Sequence, residues 1–314
     1  MEHLFKGNAL LALASAIIWG GGDFSGGVAV KAADGTMRSA FRVVLLSHTV
    51  SLSILLSASL LWGGPRPSGT ALAWALAAGL FAALSLTTFY VALSAGAMGA
   101  AAALSGLLAA ALPAAVSSAT EGLPGALRLG GFAVAGLAIW LVAAAPAASA
   151  MEPAQHLPHG VGKPPQPQRA DRRTMSFAIA AGIGFGLYFI AMKMAGRGGL
   201  LWPMTSVRIG SVATCAVLVL ATSRGRQPSS ASSHAYLPRR AILWAMGPAL
   251  LDTGGNLLFM AATRMGRLDV ASVLASLYPA STILLAAWMF HERPTRRQGI
   301  GMLTAAAAVV MISL

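Results

Sequence analysis

The chain has 314 residues, 56% of them hydrophobic and only 10% charged, with a formal net charge of +13 at pH 7. Soluble domains carry about 25% charged residues, so a chain with a mean hydropathy of +0.71 is not an ordinary soluble globule. Its continuous Ala-, Leu- and Gly-rich runs exclude the alternating strands of a membrane barrel. The single cysteine, Cys215, lies in an apolar run, which excludes a disulfide framework and a thiolate metal site. Most Lys and Arg fall in loops and at span ends, where lipid headgroups and insertion energetics account for them, so nucleic acid is not an expected partner.

Backbone groups in hydrocarbon must be satisfied within the segment, so each apolar run of about 20 residues reads as a helix crossing the bilayer. Ten spans are expected, at 8–30, 39–62, 70–94, 97–119, 126–147, 174–195, 203–222, 240–262, 268–290 and 297–314. The first lacks a small-residue cleavage site at signal-peptide distance and is expected to be retained. It carries Trp19, three glycines and then Asp23. Span two opens near Arg42 and holds His48 among serines, which reads as a packed, hydrogen-bonded histidine, a proton relay being the other reading. Tyr90 lies toward the end of span three, and Pro113 interrupts span four, which ends near Glu121.

The segment 148–173 is Pro-rich, polar and basic and reads as a flexible linker. Span six brings Gly182, Gly184, Gly186, Tyr188 and Lys193, and span seven brings Arg208. A polar insert at 223–239 precedes span eight, where Pro248, Asp252 and Asn256 lie. Span nine places Ser276 beside Tyr278 and Pro279, and proline there frees a carbonyl toward a cavity. Trp62, Trp74, Trp202 and Trp244 fit an interfacial belt.

Of nine acids, only Asp23 and Asp252 fall deep within spans. An ionisable group at mid-bilayer costs at least ~2.5 kcal/mol and so faces the bundle interior with a partner or water. The purely structural reading pairs Asp23 with Arg42 or Lys193, and Asp252 with Arg208. The functional reading makes both cavity residues. Glu121 and Glu292 read as turn residues stabilising the N-terminus of the following helix. The mid-span aromatics Trp19, Tyr188 and Tyr278, with Tyr90, offer apolar area and a polar handle for an organic ligand, or simply pack the bundle.

The two halves resemble each other. Leu104 onward (LSGLLAAALP) and Leu274 onward (LASLYPASTI) both lead through an acid, a prolyl turn and a basic residue to a glycine-led helix. Spans one and six share glycine clusters, and spans three and eight share Trp74/Trp244, Phe89/Phe259 and Gly96/Gly266. Five spans is an odd number, so a duplicated half enters the membrane in the opposite orientation.

At these residues the chain resembles the EamA-type transporters of the drug/metabolite transporter superfamily. The likeness rests on WGGGDFSGGVAVK at 19–31, on Arg42, and on SLYPASTILLAAWMFHERPTRRQGIGM at 276–302. The first half departs from it: TEGLPGALRLGG at 120–131 lacks the Arg that follows Glu292. The resemblance implies an all-α membrane protein of ten transmembrane helices, two inverted five-helix repeats around a central cavity, and commonly export.

The expected organisation is a first repeat at 1–147, the linker at 148–173 and a second repeat at 174–314. The expected function is a secondary transporter, an exporter of a small metabolite or drug-like molecule working by alternating access in a bacterial cytoplasmic membrane. Its cavity is expected from spans one, three, four, six, eight and nine, with Trp19, Asp23, Tyr90, Tyr188, Asp252, Asn256, Ser276 and Tyr278 as candidate residues. Proton coupling is left open by the intramembrane acids. No cofactor, metal or catalytic residue is expected: a Walker loop is missing, and of the alternatives acting on a lipid-linked substrate, a polytopic enzyme would want a cluster of His, Asp or Glu at one membrane face that the sequence lacks, while a flippase stays open as a reading within transport. Orientation is contested. Loops after odd-numbered spans, with their flanks, hold 14 Lys/Arg against 8 on the N-terminal side, which puts both termini outside, whereas the resemblance implies cytoplasmic termini.

Overall fold

The computed structural model describes residues 2–95, 98–143, 172–223, 237–289 and 296–313. The expected linker apart from its last two residues, most of the insert at 223–239, Gly96 and Glu292 lie outside the described residues. Those described are almost wholly helical, without strands: α1 (Glu2–Ala33), α2 (Met37–Trp62), α3 (Gly69–Ser94), α4 (Met98–Glu121), α5 (Ala126–Ala143), α6 (Arg172–Ala195), α7 (Leu201–Ser223), α8 (Arg239–Met265), α9 (Leu268–Ala275), α10 (Tyr278–Met289) and α11 (Arg296–Ser313), with a 3₁₀ turn at Gly196–Gly198. Six helical segments are long and apolar enough to cross a membrane by length and composition alone. The helix α8 is less apolar than these six, because Asp252, Thr253 and Asn256 interrupt its apolar run.

The ninth expected span is not one helix. Its first part, α9, ends at Ser276, and α10 starts at Tyr278 with Pro279 in its first turn. Proline lacks the N–H that would continue the ladder and clashes with the carbonyl a turn earlier. The junction is held by short-range bonds instead, Leu277 N to Leu274 O at 3.2 Å and Ala280 N to Leu277 O at 3.0 Å. Pro113 and Pro248, by contrast, sit inside uninterrupted α4 and α8.

Helices of one half pack on helices of the other: α1 on α8, α3 on α6, α5 on α11 and α2 on α7. Small residues permit these contacts. A Cβ on Gly210 of α7 would lie 2.7 Å from the Leu76 carbonyl oxygen of α3, and one on Gly182 would lie 2.7 Å from the Ser105 carbonyl oxygen of α4. Without a hydrophobic drive between helices in lipid, such close approach is what supplies packing energy. The lipid-facing surface is correspondingly apolar, with Leu60, Leu61, Leu220, Trp288 and Leu303 exposed.

Turns after even-numbered spans share one face. Glu121 at the end of α4 forms an ion pair with Lys193 of α6. Arg267, between α8 and α9, donates to the carbonyls of Glu121 at 3.1 Å and Gly122 at 2.7 Å while chelating Asp269. Those are orphan carbonyls at the end of α4. The hydrogen bonds from Arg267 to Asp269 hold its guanidinium further above its ordinary range. Arg66 covers the Trp202 ring on the same face. On the opposite face, Thr36 caps α2 by accepting from Ser39 N at 3.2 Å, and Asp34 accepts from Thr36 N at 2.9 Å. Partial burial raises the Asp34 carboxyl, but hydrogen bonds from Ser39 and Thr36 and the nearby Arg42 charge outweigh it and leave it below the usual range.

Candidate functional site

Mid-way along the helices lies a cavity of about 390 Å³, open solvent included, lined from α1, α3, α6, α7, α8 and α10. The α1–α8 pair contributes Trp19, Asp23, Asp252 and Asn256, and Tyr278 adds its ring from α10. The α3–α6 pair contributes Ala82, Leu86, Phe185, Tyr188 and Phe189. The cavity is therefore amphipathic, with charge and amide on α1, α7 and α8 and apolar and aromatic surface from α3 and α6. Span four, expected to line it, contributes no lining residue, whereas span seven, not expected to, contributes Arg208.

The charged wall is organised around Arg208, which is completely buried. Its Nε donates to Ser51 Oγ at 2.8 Å, its Nη2 to Asp252 Oδ2 at 2.5 Å, and its Nη1 lies 3.1 Å from His48 Nε2. A guanidinium has no acceptor, so His48 Nε2 accepts and its Nδ1–H points at Ser211 Oγ, with which it forms a short hydrogen bond. Ser51 in turn meets Thr253 at 2.5 Å, and Thr253 bonds back to the Ala249 carbonyl at 2.6 Å. The three helices α2, α7 and α8 are thereby tied by one polar network inside an apolar bundle. Asp252 pairs with Arg208, and Ser51 of α2 belongs to the same network as His48, whereas Ser47 bonds back to the Val44 carbonyl at 3.1 Å.

Trp19 is fixed by its indole N–H, which donates to Asn256 Oδ1 at 3.1 Å, and by stacking on Phe189 at 5.3 Å between centroids. Gly255 makes room for that ring, because a Cβ there would lie 2.7 Å from Trp19 Nε1. Tyr278 bonds Ser105 Oγ of α4 at 2.7 Å and sits edge-on to Phe89. The Tyr188 hydroxyl is buried without a hydrogen-bond partner among the described residues.

Asp23 is the group without a counter-ion. Among the described residues it makes no ion pair, and Lys193, one of its two expected partners, is engaged by Glu121 instead. Glu121 therefore does more than stabilise the start of α5. Tyr90 and Ser276 stand outside the cavity lining. The Tyr90 ring fills the space beside Gly26, and Ser276 is the buried C-cap of α9. The apolar liners Ala82, Leu86, Phe185 and Phe189 carry no sequence signal in a chain whose every span is apolar.

An all-α bundle with helices long and apolar enough to cross a membrane, around an interior charged cavity, defines an integral membrane protein. Residues 172–314 match the model of the EamA-like transporter family. One solved structure, described as "Crystal structure of protein", aligns over 98% of this chain and 98% of its own with a TM-score of 0.65 and 17% identity. It is one of 27 matching chains, and at that identity the likeness is one of fold. No curated protein matches.

Proposed function

We propose that the protein is a secondary transporter that exports a small amphipathic metabolite or drug-like molecule by alternating access. In this reading two inverted repeats, 1–147 and 174–314, joined by the segment 148–173, rock around the cavity in a bacterial cytoplasmic membrane. The observation that carries it is the cavity itself: an ion-paired, hydrogen-bonded polar wall and an aromatic wall meeting at mid-membrane, where polar groups mark substrate paths.

The packing supports the inverted repeat. Exchanging the two sets of five spans turns the α1–α8 contact into α6–α3, and maps α2–α7 and α5–α11 onto themselves. Aligning Phe89 with Phe259 sets Ala82 and Leu86 against Asp252 and Asn256, and all four line the cavity. One copy supplies polar chemistry where the other supplies apolar surface, as expected of a duplicated frame that has since specialised.

The test is counterflow in proteoliposomes against a panel of amphipathic metabolites. Saturable exchange of at least one compound, absent from protein-free vesicles, is the expected result. If no compound exchanges faster than in empty liposomes, the transport reading is wrong.

A further inference from the structure

The charge balance of the cavity names its cargo, an inference that rests on the transport reading and deepens it. Three lining residues carry formal charge, Asp23, Arg208 and Asp252. Arg208 and Asp252 neutralise one another at 2.5 Å. His48 accepts from Arg208 on Nε2 and so adds no charge. Two carboxyl groups against one guanidinium leave one carboxyl in excess, that of Asp23, which lacks an ion pair among the described residues and is free to act as counter-ion to a cationic ligand.

An anionic cargo is disfavoured by the same geometry. The three nitrogens of Arg208 already serve Ser51, His48 and Asp252, and a carboxylate entering the cavity would meet two acids. A cation, by contrast, finds a carboxylate and a set of aromatic rings. Trp19, Phe185, Tyr188, Phe189 and Tyr278 all line the space, and aromatic faces attract ammonium groups. The buried, unpartnered hydroxyl of Tyr188 is a second group waiting for a polar atom of the ligand.

We infer that the cargo is an organic monocation, an ammonium group paired with Asp23 and joined to an apolar, aromatic-sized body lying against the α3–α6 wall.

The test uses the full-length protein in nanodiscs and three matched probes: phenethylamine, its neutral analogue 2-phenylethanol and its anionic analogue 3-phenylpropionate. Calorimetric titration should show phenethylamine binding at least about tenfold tighter than either analogue, the effect of one hydrogen bond to a charged group. Asp23→Asn should erase that preference, and Asp23→Glu should keep part of it. Equal or tighter binding of the neutral or anionic probe, binding of none of the three, or a preference that survives in Asp23→Asn overturns the inference. The wild-type comparison decides the matter even where Asp23→Asn fails to fold. Counterflow of phenethylamine separates the two ideas: preferential binding without movement leaves the charge assignment standing and removes the transport reading.

Discussion

Arg208 is the largest completely buried side chain among the described residues, and it persists there because Ser51, His48 and Asp252 all bond to it. Removing one partner of such a pair leaves an uncompensated charge and costs about 3–5 kcal/mol, whereas replacing both can be nearly neutral. Asp252→Asn should therefore lower the melting temperature of the detergent-solubilised protein markedly and abolish transport. Adding Arg208→Gln to it should recover most of the melting temperature but not the transport. An unchanged melting temperature in the single mutant would show that Arg208 does not depend on Asp252. At this scale the sequence was legible where a residue departs from its surroundings. Asp23, Asp252 and Asn256 stand out in an apolar span, and six of the eight candidates line the cavity. Tyr90 and Ser276 also stand out, yet burial in helix contacts uses them, and no local pattern separates a packed tyrosine from an exposed one. The pairing of Asp252 with Arg208 was readable as the structural alternative, whereas the contacts of Arg208 with His48 and Ser51 depend on the crossing of α2, α7 and α8, a tertiary fact.

The elements were legible because lipid permits so few solutions: an apolar run of about 20 residues in hydrocarbon must be a helix. The exception is the break between α9 and α10, where Pro279 marked the place but hydropathy, blind to hydrogen bonding, ran on through it. Glycine clusters were readable as close contacts, and the partners are now specified. Gly20 faces Ser281 of α10, Gly184 faces Ser85 of α3 and Gly186 faces Leu112 of α4. Gly299 of α11 has nothing within 4 Å of where a Cβ would stand. Gly184→Leu should consequently impair folded yield and counterflow severely, by about tenfold or more if α6 is forced off α3, since overpacking costs typically about 1–3 kcal/mol. Gly299→Leu should leave both near wild type. Comparable losses in the two variants, measured as detergent-stable yield and initial counterflow rate, would remove the close-contact role of the cluster.

For the whole molecule, the paired turns establish which ends share a face. The start of α1 meets the end of α8, through Gly7 with Met265 and Asn8 with Gly266. Turns after α2, α4, α6 and α8 then touch one another through Arg66 and Trp202, Glu121 and Lys193, and Arg267. An even number of spans separates each of these from the N-terminus, so ten crossings return the chain to the side where it began. Burial of Arg208 also sharpens the charge asymmetry: of the 8 Lys/Arg counted on the N-terminal side, this one lies at the cavity and contributes nothing to a loop. Both termini should therefore report from the same side of the membrane. Separate fusions of green fluorescent protein, which fluoresces in the cytoplasm, and alkaline phosphatase, which is active outside it, at each terminus measure this directly. Opposite readings at the two ends would break the ten-crossing, two-half architecture. With the ends on one side, phosphatase activity upholds the distribution of loop arginines as the determinant of orientation, and fluorescence upholds the orientation implied by the EamA-type resemblance.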